Sequence, residues 1–575
     1  MHTLDKPLPK LLEAARGDRP VDLLLRNARL INVFSGKVAP MDIAVADGFV
    51  VGFGPYVART EVDLQGRFVA PGFIDAHVHI ESAMVGPTQF ARAVLPHGTT
   101  TVVADPHEIA NVLGAKGIAY MLAASASQPL NFLFTLPSCV PATAMETAGA
   151  RLGVEALKPF MDHRRVVALA EMMNFPGVIH ADPEVLAKIE AMQAFGKPLD
   201  GHAPGLSGHA LHAYLAAGIA SDHECTTADE AREKLAAGMH IMIREGTGAR
   251  NLDDLLPVID AGNARRMMWC TDDRHAHDLT RQGGIDSMVR RAVRAGLDPV
   301  IAIRMATLNP AEYFGLGSVG AVGPGRRADL VIMNDLDDPE VHQVYCGGVL
   351  TAQEGRMVNA ETGGTMTAPP SPMRVAVERL DFSVAAHGKR IRVIEALPDQ
   401  IVTGATEAAA LIRDGRVVAD TGRDVLKIAV VERHRGTGRT GVGFISGFGL
   451  KRGALASTVA HDAHNIVVVG ADDKSMLAAV GVLADMGGGL VVVDEERCLA
   501  RLALPIAGLM SDQPIDHVCY GLEELLAAAR RLGARLPDPF MTLSFMALPV
   551  IPALKITDHG LVDVTAFKRV PLFPE

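Results

Sequence analysis

Between Pro71 and Leu316 the chain alternates short apolar runs with Ala- and Leu-rich stretches of helical period. That alternation restricts it to a parallel sheet with crossover helices. Eight runs have strand character: GFIDAHVHI, TTTVVADPH, NFLFTLPSCV, RVVALAEMM, KPLDGHAPG, GIASDHE, MHIMIREG and RMMWCTDD. Eight is the number that closes a (β/α)₈ TIM barrel, a fold whose chemistry gathers at the C-terminal ends of its strands. Reactive residues stand at those ends: His77 and His79 on the first strand, Asp105 on the second, Glu171 on the fourth, His202 on the fifth. His223 ends the sixth, Arg244 and Glu245 the seventh, Asp272 the eighth. The third ends in Ser138 and Cys139, a weaker signal.

The flanks read differently. Val21 to Val69 is a series of β-runs broken by Gly, Asn and Asp, and GPGRRADLVIMNDLDDPEVHQVYCGGVLTAQEGR after the barrel reads as hairpins returning to them. The expectation is a small discontinuous β-sandwich-like domain, 1–70 with 317–370, around a barrel at 71–316. GGTMTAPPSPMR resembles a linker, so a boundary falls near 370. Residues 371–575 mix strand runs (KIAVVERH, NIVVVGA, GGLVVVDEE) with helical ones (DDKSMLAAVGVLADMG, GLEELLAAARRLG), an additional C-terminal α+β domain. At 575 residues, three folding units match the length.

Charge narrows the partners. A formal net charge of -11 without a long Lys/Arg run disfavours nucleic acid. No signal peptide and no long uninterrupted apolar stretch are visible, so a cytoplasmic protein that binds no membrane is expected. The six cysteines form no CxxC pair and are expected reduced.

His77-Val-His79 puts two imidazoles on one strand face, about 6 to 7 Å apart at the backbone, where both can grip one metal ion. With 21 His in the chain, roughly one such pair arises by chance, and His275-Ala-His277 is a second. The distinction of the first pair is its company: with Glu171, His202, His223 and Asp272 it supplies six nitrogen and oxygen donors to one barrel mouth, a set suited to borderline divalent metals. Asp273 would face away if the eighth strand stays regular, in a structural or supporting role. Asp105 reads as a ligand, a substrate contact, an orienting partner or an Asx turn before Pro106. Arg244 and Glu245 read as substrate contacts or as an ion pair with a neighbouring helix. GVGFISGFG lacks GxGxxG spacing and a following Lys-Ser/Thr, so tight turns explain it better than a phosphate cradle. Met172-Met173 beside Glu171 is core filling or pocket lining.

PGFIDAHVHIESAM, LPHGTTTVVADPHEIANV, LAEMMNFPGV, LDGHAPGLSG, SDHE, MIREGTGARNL and CTDDR resemble the successive strand-end motifs of bacterial adenine deaminases in the amidohydrolase superfamily. The likeness runs on through GFGLKRGALASTVAHDAHNIVVVG, LPIAGLMS and LPVIPALKITDHGL, covering nearly the whole chain. It implies hydrolytic deamination of adenine to hypoxanthine and ammonia by a metal-activated hydroxide, with a purine base and water as partners and a homo-oligomer as assembly. It implies two divalent ions, Mn2+ first with Fe2+ or Zn2+ able to substitute: His77, His79 and Asp272 on one, His202 and His223 on the other, Glu171 bridging. Asp272 would also move the proton. Relatives that hydrolyse cyclic amides usually carry a carboxylated lysine at the fourth-strand position, where this chain has Glu171. The resemblance marks His461, Asp462 and His464 as a signature without a role; they cap the barrel mouth, touch substrate, or form a structural hairpin. The chain departs from the commonest pattern at Ala83, Ala460 and Ala463, none of them an expected ligand. The alternatives are an amidohydrolase acting on another amino-purine or a cyclic amide, and a silent purine-binding protein.

Overall fold

The computed structural model describes residues 7–358, 369–398 and 400–574. All eight expected barrel strands are present: Phe73–Val78, Thr99–Ala104, Asn131–Leu136, Val166–Met172, Leu199–Gly201, Ser221–Asp222, His240–Arg244 and Met267–Cys270. Nearly every residue in them is buried, as expected of parallel strands covered on both faces. Strands one to five form one parallel sheet and six to eight another. Leu199 bridges Ile219, and Val78 bridges Asp272. These two joints curl the sheets into a TIM-barrel-like α/β fold.

Local chemistry sets the crossovers. Asp182 caps the helix Pro183–Gln193 through the N–H groups of Glu184 and Val185, and Thr227 caps Ala228–Ala236 through that of Glu230. On Ile285–Arg294 the residues Ile285, Met288, Val289, Ala292 and Val293 are buried, and the arginines take the other side.

Strands from both flanks of the barrel share a nine-stranded sheet, in which Leu330–Met333 pairs antiparallel with Phe68–Pro71. The flanking strands are thus hydrogen-bonded into one continuous sheet. The long strand Val21–Asn32, bulged between Leu25 and Ala28, pairs with three neighbours and keeps the sheet continuous. Residues 1–6 and the first half of the expected linker, 363–368, lie outside the described residues.

Beyond it an eight-stranded sheet carries the helices Asp473–Asp485 and Ile515–Leu532. The glycine segment forms a strand, Thr440–Ser446, and a turn in which the N–H groups of Gly447 and Gly449, both at positive φ, donate to Asp424. Those donors are spent on a side chain, which accords with tight turns. The six cysteines are free. Among the described residues no helix is long and apolar enough to cross a membrane.

Candidate metal centre

The joint that closes the barrel is also where the donors meet. Asp272 N–H donates to the His77 carbonyl at 3.0 Å, and His79 N–H to the Asp272 carbonyl at 3.3 Å. Strand eight therefore delivers its carboxylate directly onto the histidine pair of strand one. His202 follows Gly201, where a Cβ would collide with the Ser221 carbonyl; only glycine lets the fifth strand lie this close to the sixth. Ser138 Oγ donates to the Glu171 carbonyl at 2.5 Å, so the weak signal on the third strand supports the backbone of the fourth.

His77, His79, Glu171, His202, His223 and Asp272 are all buried and converge. Nε2 of His77 and Nε2 of His79 are 3.1 Å apart, and Asp272 Oδ1 lies 3.6 and 3.2 Å from them. Glu171 divides its oxygens: Oε1 is 3.6 Å from His77 Nε2 and 3.2 Å from His79 Nε2, while Oε2 is 2.6 Å from His202 Nδ1 and 3.2 Å from His223 Nε2. One carboxylate thus faces two donor clusters. Each cluster is compact enough for one cation: His77, His79 and Asp272 in the first, His202, His223 and Glu224 in the second.

The tautomers suit metal ligation. His79 Nδ1 lies 3.2 Å from the Asp105 carbonyl, which can only accept, so Nδ1 carries a proton and Nε2 is the nitrogen turned toward the cluster, able to ligate once neutral. Burial alone would favour neutral His77, but hydrogen bonds to Asp272 and Glu171 outweigh it and lift its pKa to about 10. His202 likewise rises against burial, to about 9, through Glu224 and Glu171. Burial would raise Glu171, yet the charge of His223 and hydrogen bonds from His202, His223 and His77 hold it well below the carboxylate range. Asp272 is held low in the same way by His77, His79, His223 and Arg244.

The remaining expected site residues separate. Arg244 is buried at the centre: its Nη1 donates to Asp272 Oδ2 at 3.1 Å and to Glu224 Oε1. Glu245 points away; its Oε1 pairs with Arg291 Nη1 at 2.6 Å and its Oε2 accepts the Leu252 N–H. The ion-pair reading therefore holds for Glu245, because successive residues of a strand face opposite sides. Glu245→Gln should lower stability by about 1 kcal/mol and leave turnover within about twofold, read by thermal unfolding and steady-state rates. Asp105 accepts the His107 N–H at 3.1 Å, an Asx-type contact, and orients the His107 ring through Nδ1 at 2.9 Å. Asp273 departs from expectation. Asp272 sits at φ 55, which breaks the strand alternation, so Asp273 turns to the same cavity and accepts from Ser82 Oγ.

The donor clusters open on one cavity. Met173 lines it, whereas Met172 packs on Cys139. Its roof comes from the C-terminal residues: Ile401, His461, Asp462, Phe545, Leu548 and Ile551. His461 stacks on Phe545, centroids 4.4 Å apart, and its Nδ1 lies 3.3 Å from Glu108 Oε1. His464 stands behind the wall, its Nδ1 accepting the Ala460 N–H. A second cavity shares Gly248, Ile401 and Phe545 with the first; His275, paired with Asp538, and His277 line it, apart from the donor clusters. Sequence reasoning missed His107, Glu108 and Glu224. Each adjoins a strand-end residue in VADPHE or SDHE, and that adjacency was the available signal.

Barrel and buried donor set together define an amidohydrolase-type centre, and residues 68–351 match the model of the amidohydrolase family. Residues 400–568 match the adenine deaminase C-terminal domain. The chain is 56% identical over 568 residues to the adenine deaminase of Desulfatibacillum aliphaticivorans, covering 98% of this chain and 99% of that one. It is 52% identical over 566 residues to that of Methanothrix thermoacetophila (98% and 99%), and 49% over 569 to adenine deaminase 2 of Carboxydothermus hydrogenoformans (99% and 100%). The chain belongs to the adenine deaminase family.

Proposed function

We propose that the protein converts adenine and water to hypoxanthine and ammonia, in purine salvage, at a centre for two divalent ions with Mn2+ the physiological metal. The observation that carries the reading is the division of Glu171 between two histidine clusters. His77, His79 and Asp272 would hold one ion, His202 and His223 the other, and Glu171 both. Ions bound there supply the Lewis acidity that makes water a nucleophile at neutral pH. The protein's own groups do the rest. Asp272, fixed by Arg244 on Oδ2, takes the proton of the attacking water and returns it to the departing 6-amino nitrogen. The C-terminal roof excludes bulk water. We divide the chain into a β-domain of 1–70 with 317–370, a barrel of 71–316 and a C-terminal domain of 371–575, in keeping with the sheet that joins both flanks.

Metal-free protein reconstituted with roughly two equivalents of Mn2+ should release ammonia from adenine and not from adenosine, and should leave the ring of dihydroorotate closed. No ammonia from adenine would sink the reading. Metal uptake should also depend on pH. His77 and His202, with pKa values of about 10 and about 9, are charged at neutral pH in the metal-free protein, and a ligand imidazole must be neutral. Uptake must therefore release protons and strengthen as pH rises toward 9. Calorimetry in buffers of different ionisation enthalpy reads this directly; an uptake heat independent of buffer would contradict it.

A further inference from the structure

The hairpin tip between the strands Ala454–Ser457 and Ile466–Gly470 reaches into the catalytic cavity from the C-terminal residues. It is anchored from behind: Arg433 Nε donates to the His464 carbonyl at 2.5 Å, and Asn465 Nδ2 to the Thr147 carbonyl at 2.8 Å. At its end stands Asp462, 2% exposed. Its Oδ1 lies 3.6 Å from His107 Nε2, and its Oδ2 is buried with no hydrogen-bond partner. A buried carboxylate oxygen without a donor is costly, so a donor is missing from this place.

The position says which donor. His107 spans the gap between Asp462 and the metal centre, its Nδ1 being 3.5 Å from Glu171 Oε1. The Asp462 carboxylate thus stands one imidazole ring from the centre through its other oxygen and lines the same cavity, where a fused bicyclic base could reach both. Free adenine has two donor groups, the exocyclic amine and one ring N–H. Reaction at C6 commits the amine to the metal centre. Only the ring N–H is left for the far wall.

Resting on the adenine reading, we infer that Asp462 is a specificity-determining residue that accepts the ring N–H of a free purine base and thereby rejects purines substituted at N9. A glycosyl or methyl group at N9 replaces that proton and leaves the carboxylate buried against carbon. Sites built to hydrogen-bond a polar group discriminate strongly against analogues lacking it.

The test compares kcat/KM for adenine and N9-methyladenine in the metal-loaded wild type, Asp462→Ala and Asp462→Asn, with metal content and thermal unfolding recorded for each. The wild type should prefer adenine by about 10²-fold or more. In Asp462→Ala, adenine should lose roughly 30-fold, mostly through KM, while N9-methyladenine holds or gains. A larger cavity alone would raise the methylated base without lowering adenine. Should Asp462→Ala fail to fold, Asp462→Asn, of equal size and a weaker acceptor, should narrow the preference by about tenfold. An unchanged preference in a folded variant, or a wild type that uses both bases equally, overturns the assignment. A wild type inert toward adenine overturns the functional reading instead.

Discussion

Glu171→Gln should remove metal and activity together: bound metal falls from roughly two ions per chain to below one, and kcat/KM for adenine drops by about 10³-fold or more. The carboxylate is acceptor-only and offers one oxygen to His77 and His79 and the other to His202 and His223. An amide of the same shape keeps one acceptor and turns the other arm into a donor. Whichever way it settles, one histidine pair faces an N–H, and the negative charge that would lie between the two proposed cations is gone. The change is buried, so water cannot make good the loss. Metal analysis beside the rate measurement decides it; full activity with two tightly held ions would place the bridge elsewhere.

Asp272→Asn should act mainly on turnover. Asp272 borders both His77 and His79 through Oδ1 and is tethered by Arg244 through Oδ2. The amide retains an oxygen toward the histidines but cannot carry the water proton to the leaving nitrogen. General acid–base contributions of this kind are worth about 10² to 10⁴-fold, and a loss near 10³-fold in kcat is expected with KM little changed. The arm of the pH–rate profile that reports the carboxylate should vanish as well. A variant within tenfold of wild type would give the proton-transfer role to another group, with Asp273 and Glu224 next in reach of the cavity.

Much of the fold was legible because parallel barrel strands are buried on both faces, and their continuous apolar runs stand out from the crossovers. The six donors were legible for a related reason: a strand's end fixes which mouth of the barrel its last residues face. Where a residue lies past the strand end, direction depends on backbone that sequence does not display. Asp273 faces the cavity because Asp272 adopts positive φ, whereas Glu245, next to the inward-facing Arg244 on a regular strand, turns to Arg291. His107, Glu108 and Glu224 were hidden beside more conspicuous neighbours. The roof was least legible. Asp462 and Phe545 lie more than a hundred residues beyond the barrel, and no local periodicity tells that they close over it. For the same reason the continuity of the flanking sheet was not legible, since the three pairings of the long strand Val21–Asn32 are a tertiary fact.

The proposed chemistry stands on a two-ion centre shared by Glu171. The most direct measurement is anomalous scattering at the manganese edge from crystals of the Mn2+-loaded protein. Two anomalous peaks are predicted, one among His77, His79 and Asp272 and one between His202 and His223, with a Glu171 oxygen on each. A single peak, or a second one away from Glu171, would contradict the account.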